Sequence, residues 1–143
     1  MPKNIRVIAI CIFRRGNSVL VCEYFDSFDK KPFYRPLGGA VEYGETTEAA
    51  IRREIREEIR QEIVDLKLMR IIENIFVHEG KPGHEIVYVY EGRFTDKSAY
   101  QQESFEVHEE TEIMKASWRD LDSFNDYHRL VPGELVRLLK TNN

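Results

Sequence analysis

The stretch at residues 38–63, GGAVEYGETTEAAIRREIREEIRQEI, constrains this chain more than any other. Its front holds Gly38, Gly39 and Gly44 and reads as a loop that turns sharply before a helix. Its back, residues 46–63, has neither Gly nor Pro and is rich in Ala, Glu, Arg and Ile, so it reads as one helix. Thr46 or Thr47 can supply the N-cap. At roughly 100° per residue, Ile51, Ile55 and Ile59 form a narrow apolar stripe that would face a core. Glu54, Glu57 and Glu58 gather on one flank, about 110° from that stripe. Arg52, Arg53, Arg56 and Arg60 fall largely on the other flank.

Glu54 and Glu58 are spaced i, i+4, and Glu54 and Glu57 i, i+3. Like charges at these spacings destabilise a bare helix by roughly 0.2–0.5 kcal/mol per pair. A divalent cation among them removes that cost, and hard oxygen donors suit Mg2+ or Mn2+ better than zinc. The competing reading is a solvated helix face with ion pairs such as Arg53 with Glu57.

The rest of the chain alternates strands with turns. Residues 5–13 (IRVIAICIF) form an almost continuous apolar run, as a strand buried on both faces would. Residues 14–17 are a turn, 18–25 a second strand and 26–31 an exposed loop. Phe33-Tyr34-Arg35-Pro36 is extended, because a proline disfavours helix at the residue before it. Residues 64–78 and 85–94 read as strands joined by a Gly-Pro-rich hairpin. His78 and His84 flank that hairpin and read as solvated rather than as ligands. Residues 96–111 are a polar stretch, too long for a plain turn, holding Glu103, Glu106, Glu109 and Glu110. A short strand at 113–118 follows, then a last helix starting over residues 131–134 and a frayed tail at 141–143. The order describes a single α/β domain over residues 1–143 with a mixed sheet.

Composition narrows the function. A hydrophobic fraction of 42% fits a globular chain, and a net charge of -4 gives no basic footprint for duplex nucleic acid. No run of eighteen apolar residues indicates a membrane span, and the start, Met1-Pro2-Lys3-Asn4, does not read as a secretory signal. Cys11 and Cys22 are expected as buried thiols, not a disulfide, which places the chain in the cytoplasm.

The spacing around the helix resembles the Nudix box: Gly, five residues, Glu, seven residues, Arg-Glu-aliphatic-any-Glu-Glu. Gly39, Glu45, Arg53, Glu54, Ile55, Glu57 and Glu58 occupy those positions. Arg60 stands where the family has Gly, and Gln61 where it has an aliphatic residue. A helix without that Gly either runs on by a residue or so or ends in a strained turn. Leu37 also replaces a glycine common just before the box.

The resemblance implies an α/β/α sandwich and Mg2+-dependent (or Mn2+-dependent) hydrolysis of a pyrophosphate bond in a nucleoside diphosphate linked to another group. It assigns Glu54, Glu57 and Glu58 to the metal and catalysis, with Arg53 orienting a box glutamate and Glu45 in support. A further Glu from the later polar region completes the metal site. Glu112, six residues before Trp118, fits that place, with Glu106 and Glu110 as alternatives. Arg35, Gly38 and Gly39 are assigned to substrate binding, with Phe33 or Tyr34 stacking on a base. The proline that marks ADP-ribose-type members and the tyrosine that marks diadenosine-polyphosphate types are both missing from their places. That favours a (d)NTP or other small nucleotide. A homodimer is compatible with this reading. The alternative function is a non-catalytic nucleotide sensor.

Overall fold

The computed structural model describes residues 3–141. Met1, Pro2, Asn142 and Asn143, and with them part of the expected leaderless start and frayed tail, lie outside the described residues. Two faces of one strand set the architecture. β1 (Arg6–Ile12) sends Ala9 and Cys11 to one side and Ile8, Ile10 and Ile12 to the other, and all five are essentially inaccessible to solvent. That alternation requires cover on both faces. α1 (Thr47–Ile59) covers the first with Ala50, Ile51 and Ile55, and α2 (Leu135–Thr141) covers the second with Leu135, Leu138 and Leu139. The result is the expected α/β/α arrangement around a mixed sheet.

Between them run β2 (Arg14–Arg15), β3 (Ser18–Asp26), β4 (Lys31–Ala40), β5 (Ile63–His78), β6 (Lys81–Phe94), β7 (Ser104–His108), β8 (Ile113–Asp120) and β9 (Arg129–Leu130). The spatial order is β5-β6-β1-β4-β3-β8-β7, with β2 on β3 and β9 on β4. β1–β6 and β4–β9 are parallel, and the other pairs are antiparallel. β4 joins two halves of the sheet: residues 31–36 pair with β3, and residues 37–40 pair with β1.

Several expectations change. Gly38 and Gly39 are not in a loop but in β4, opposite Ile10 and Ala9. Pairing with β1 overrides their low strand propensity. Gly38 has φ of 144°, and a Cβ there would lie 2.1 Å from the Ala9 carbonyl oxygen, so this crossing admits only glycine.

The helix stops at Ile59, four residues before the expected end. Arg60 adopts the left-handed conformation (φ 57°) and donates its N–H to the Arg56 carbonyl at 3.0 Å. The strained-turn ending therefore holds, with Arg60 in the conformation that glycine usually takes. At the other end Thr46 is the N-cap, its hydroxyl accepting from the Ala49 N–H at 3.1 Å. The polar stretch at 96–111 contains a 3-10 turn (Lys97–Gln101) and the whole of β7, a strand missed because only Phe105 and Val107 of its five residues are apolar. α2 begins at Leu135, later than expected.

Cys11 and Cys22 are free and buried, and burial pushes both thiols up. No helix among the described residues is long and apolar enough to cross a membrane.

Candidate active site

Arg53 organises the start of α1. Its Nε and Nη2 grip the Glu45 carboxylate at 2.7 and 3.0 Å, and Nη2 also donates to the Ala40 carbonyl at 3.1 Å. Nη1 donates to Glu54 at 3.0 Å and to Glu57 at 3.4 Å. This fork ties the end of β4, the following loop and the helix into one unit. Glu45 also accepts the Glu42 N–H at 3.0 Å. The Arg53 hydrogen bond is the chief reason its carboxyl is held down at about 2. Arg53 therefore sits among the carboxylates, although the helical wheel assigned it to the opposite flank.

Glu58 is buried at 6% exposure, one of the few charged side chains inside the protein. One of its oxygens accepts the Gly38 N–H at 3.1 Å. Burial, then the nearby charges of Glu54 and Glu109, push its carboxyl up to about 9, against the opposing Gly38 N–H and Arg35. Burial also raises Glu54, in spite of Arg53, and Glu57 and Glu109 add to the shift. Gly39 makes room for Glu54: a Cβ at Gly39 would stand 2.6 Å from the Glu54 carboxyl carbon. The two glycines serve the carboxylates directly, one by a hydrogen bond and one by absence of a side chain. Glu57 is more exposed and sits at the rim, beside Arg53.

The later glutamate that faces this group is Glu109. Its N–H donates to the Glu112 carbonyl at 3.0 Å, closing the turn between β7 and β8. Its carboxylate accepts from the Tyr24 hydroxyl at 3.1 Å. Glu112 is exposed on the same turn, and it is Glu109, not Glu112, whose charge acts on Glu54 and Glu58. Glu106 points to solvent near His108, and Glu110 is exposed. Four glutamates in seven residues carry no spacing that distinguishes them, so the turn alone selects Glu109. Tyr24 was not anticipated either.

Among the described residues no three His, Cys, Asp or Glu side chains already stand in ion-holding geometry. The donor set nonetheless fits a hard divalent cation. It is all carboxylate oxygen, partly desolvated, with charges that raise one another's proton affinity.

A cleft of about 760 Å³ reaches from Arg35 to the ends of β5 and β9. Tyr24 and Phe33 stack at 5.3 Å on its wall, and His78 meets Phe33 edge-on at 5.4 Å. Tyr34 points the other way into the core, where the Arg119 guanidinium lies 4.2 Å above its ring, so of the two expected stacking residues only Phe33 reaches the cleft. Neither this cleft nor a larger hollow of about 1000 Å³ beside Lys67 and Arg93 is lined by these glutamates, but the cleft wall includes Tyr24, which bonds Glu109, and Arg35, which acts on Glu58.

The description "NUDIX domain" fits residues 2–139. Solved structures of the same fold include a MutT NUDIX hydrolase from Burkholderia pseudomallei, at 20% identity and a TM-score of 0.70 over 99% of this chain and 100% of that one. A NUDIX hydrolase from Nitrosomonas europaea matches at 16% and 0.67, over 97% and 90%. The mMutator MutT protein from Bacillus halodurans matches at 18% and 0.62, over 95% and 80%. At such identities the structures share the fold, whereas the domain match covers nearly the whole sequence. The chain belongs to the Nudix family.

Proposed function

We propose that this Nudix-family protein is a Mg2+-dependent pyrophosphohydrolase of a nucleoside diphosphate linked to another group, with a (d)NTP or other small nucleotide as substrate. One observation carries the reading: Glu58 is buried, at 6% exposure, where the charges of Glu54 and Glu109 act on it together with Arg35, a residue of the cleft wall. A group of carboxylates is a poor neighbour for a polyphosphate unless cations intervene. Mg2+ bound there would offset the repulsion and lower the pKa of the attacking water.

Glu54, Glu58 and Glu109 would hold the ion, with Glu57 joining from the rim. Glu109 takes the part first assigned to Glu112. Glu54, its proton affinity raised by burial, is suited to accept the proton of the water that attacks phosphorus. Arg53 keeps Glu54 and Glu45 in place and does not touch substrate. Arg35 contacts a phosphate oxygen, and the Tyr24–Phe33 stack offers a flat wall to the base. Two buried free thiols agree with a cytoplasmic setting.

A panel of nucleotides assayed for released phosphate, pyrophosphate and nucleoside monophosphate, with Mg2+ and with chelator, tests the reading. Cleavage of at least one member only when Mg2+ is present is expected. Nucleotide binding without cleavage of any member would replace the hydrolase by the sensor.

A further inference from the structure

The cleft is lined by three cations, Arg6, Arg35 and Arg129, and three acids, Asp26, Glu85 and Asp126. Three of these six, Asp26, Arg6 and Glu85, have hydrogen-bond or ion-pair partners inside the protein. Asp26 accepts the backbone N–H groups of Phe28, Asp29 and Glu79 at 2.9, 3.1 and 3.2 Å. Arg6 reaches Glu85 at 3.7 Å. Arg35 acts on Glu58. Asp126 is exposed and makes no ion pair among the described residues. Arg129, like Arg35 and Asp126, forms no ion pair among the described residues, and of the six only Arg129 has a buried side-chain nitrogen, Nε, without a hydrogen-bond partner.

The register shows where Arg129 stands. β9 runs parallel to β4, with Arg129 opposite Phe33 and Leu130 opposite Tyr34. Leu130 and Tyr34 both enter the core beneath α2. Opposed residues share a face and successive residues alternate, so Arg129 shares the face of Phe33 and Arg35. Arg35 and Arg129 thus flank Phe33, Arg35 toward Glu58 and Arg129 one strand across.

We propose that Arg129 binds a second negative charge on the substrate, so that the cleft selects nucleoside diphosphates whose attached group is itself a phosphate or carries a carboxylate. The inference rests on the hydrolase reading above. A guanidinium presents its N–H groups as a planar fork that matches two oxygens of either anion. Its buried Nε has surrendered water without gaining a partner, and an arriving oxyanion supplies one. The hydroxyls of a neutral sugar return far less.

The test compares ATP, GTP, UTP and UDP-glucuronate with ADP-glucose, GDP-mannose and UDP-glucose. Wild-type kcat/KM is expected to favour the anionic member of a matched pair by about tenfold or more. Arg129→Gln should lower kcat/KM for UTP and UDP-glucuronate about tenfold more than for UDP-glucose, and Arg129→Lys, which keeps the charge but not the fork, should lie between. UTP against UDP-glucuronate tells phosphate from carboxylate. Equal use of neutral and anionic members by the wild type overturns the proposal. So does an equal loss on both classes in a folded Arg129→Gln protein. Should nothing be cleaved, calorimetric Kd values for the same pairs decide separately: a tenfold preference for the anionic member upholds Arg129 while the hydrolase reading falls, and no preference, or no binding, overturns the proposal as well.

Discussion

Gly38 and Gly39 are neighbours, yet a methyl group on each would meet different matter. At Gly38 it strikes the Ala9 carbonyl oxygen at 2.1 Å and the Ile10 Cα at 2.7 Å, both backbone. At Gly39 it strikes only the Glu54 carboxyl group, the far end of a flexible side chain. Gly38→Ala is therefore expected to destabilise the fold by about 3 kcal/mol or more, since backbone must shift and φ is already 144°. Gly39→Ala should stay folded and lose activity instead, because Glu54 is displaced. Thermal melting set beside turnover distinguishes the two, and equal melting temperatures would contradict the assignment.

Glu58 and Glu45 give pH dependences of opposite sign. Glu58 lies at about 9 in the folded protein against an ordinary 4.5. Between those values the unfolded chain releases a proton that the folded one keeps, so metal-free stability is full below 4.5 and falls as pH rises toward 9. Glu45 lies at about 2. Its contribution is full above 4.5 and is lost as pH falls toward 2. With divalent ions chelated, Glu58→Gln should flatten the decline on the alkaline side, and Glu45→Gln the decline on the acid side. Melting curves across both windows check this, and parallel profiles for wild type and Glu58→Gln would refute it.

At the scale of elements, α1 is the part most legible from sequence. Thr46, the buried Ile51–Ile55–Ile59 stripe and the box spacing all follow from local chemistry. Its end was less legible, because Arg60 in a left-handed conformation depends on the turn into β5, where Arg56 grips Glu62 at 2.8 and 2.9 Å. A glycine at position 60 relieves the strain of that φ, offset in part by unfolded-chain entropy, so Arg60→Gly should stabilise by about 0.5–1 kcal/mol. A rise of about 3 °C in melting temperature is expected, and a fall would show that the Arg60 side chain contributes more than its backbone loses. β7 was illegible for a different reason. Ser104, Glu106 and His108 point away from the core, and only pairing with β8 and contact with α1 make the segment a strand. Glu109 stayed hidden with it, since which glutamate turns inward depends on that hairpin.

Across the whole molecule, β4 converts local sequence into a site. Its first half carries Phe33 and Arg35 beside β3, and its second half carries Gly38 and Gly39 beside β1 and beneath α1. Cleft and carboxylates are therefore two ends of one strand, held by pairings that no periodicity along the chain reveals. The family and the α/β/α layering were legible because they rest on spacing within one helix and on apolar runs. The glutamate that completes the acidic group was not, because it arrives from residues some fifty positions away. The central claim is that Glu58 and Glu109 close on one cation at the end of this cleft. Calorimetric titration with Mn2+ tests it most directly, with wild type, Glu58→Gln, Glu109→Gln and Glu112→Gln compared once each is shown to be folded. Saturable binding is expected in the wild type and in Glu112→Gln, weakened about tenfold or more in the other two. A folded wild type that binds no Mn2+, or binding lost in Glu112→Gln and kept in Glu109→Gln, would contradict it.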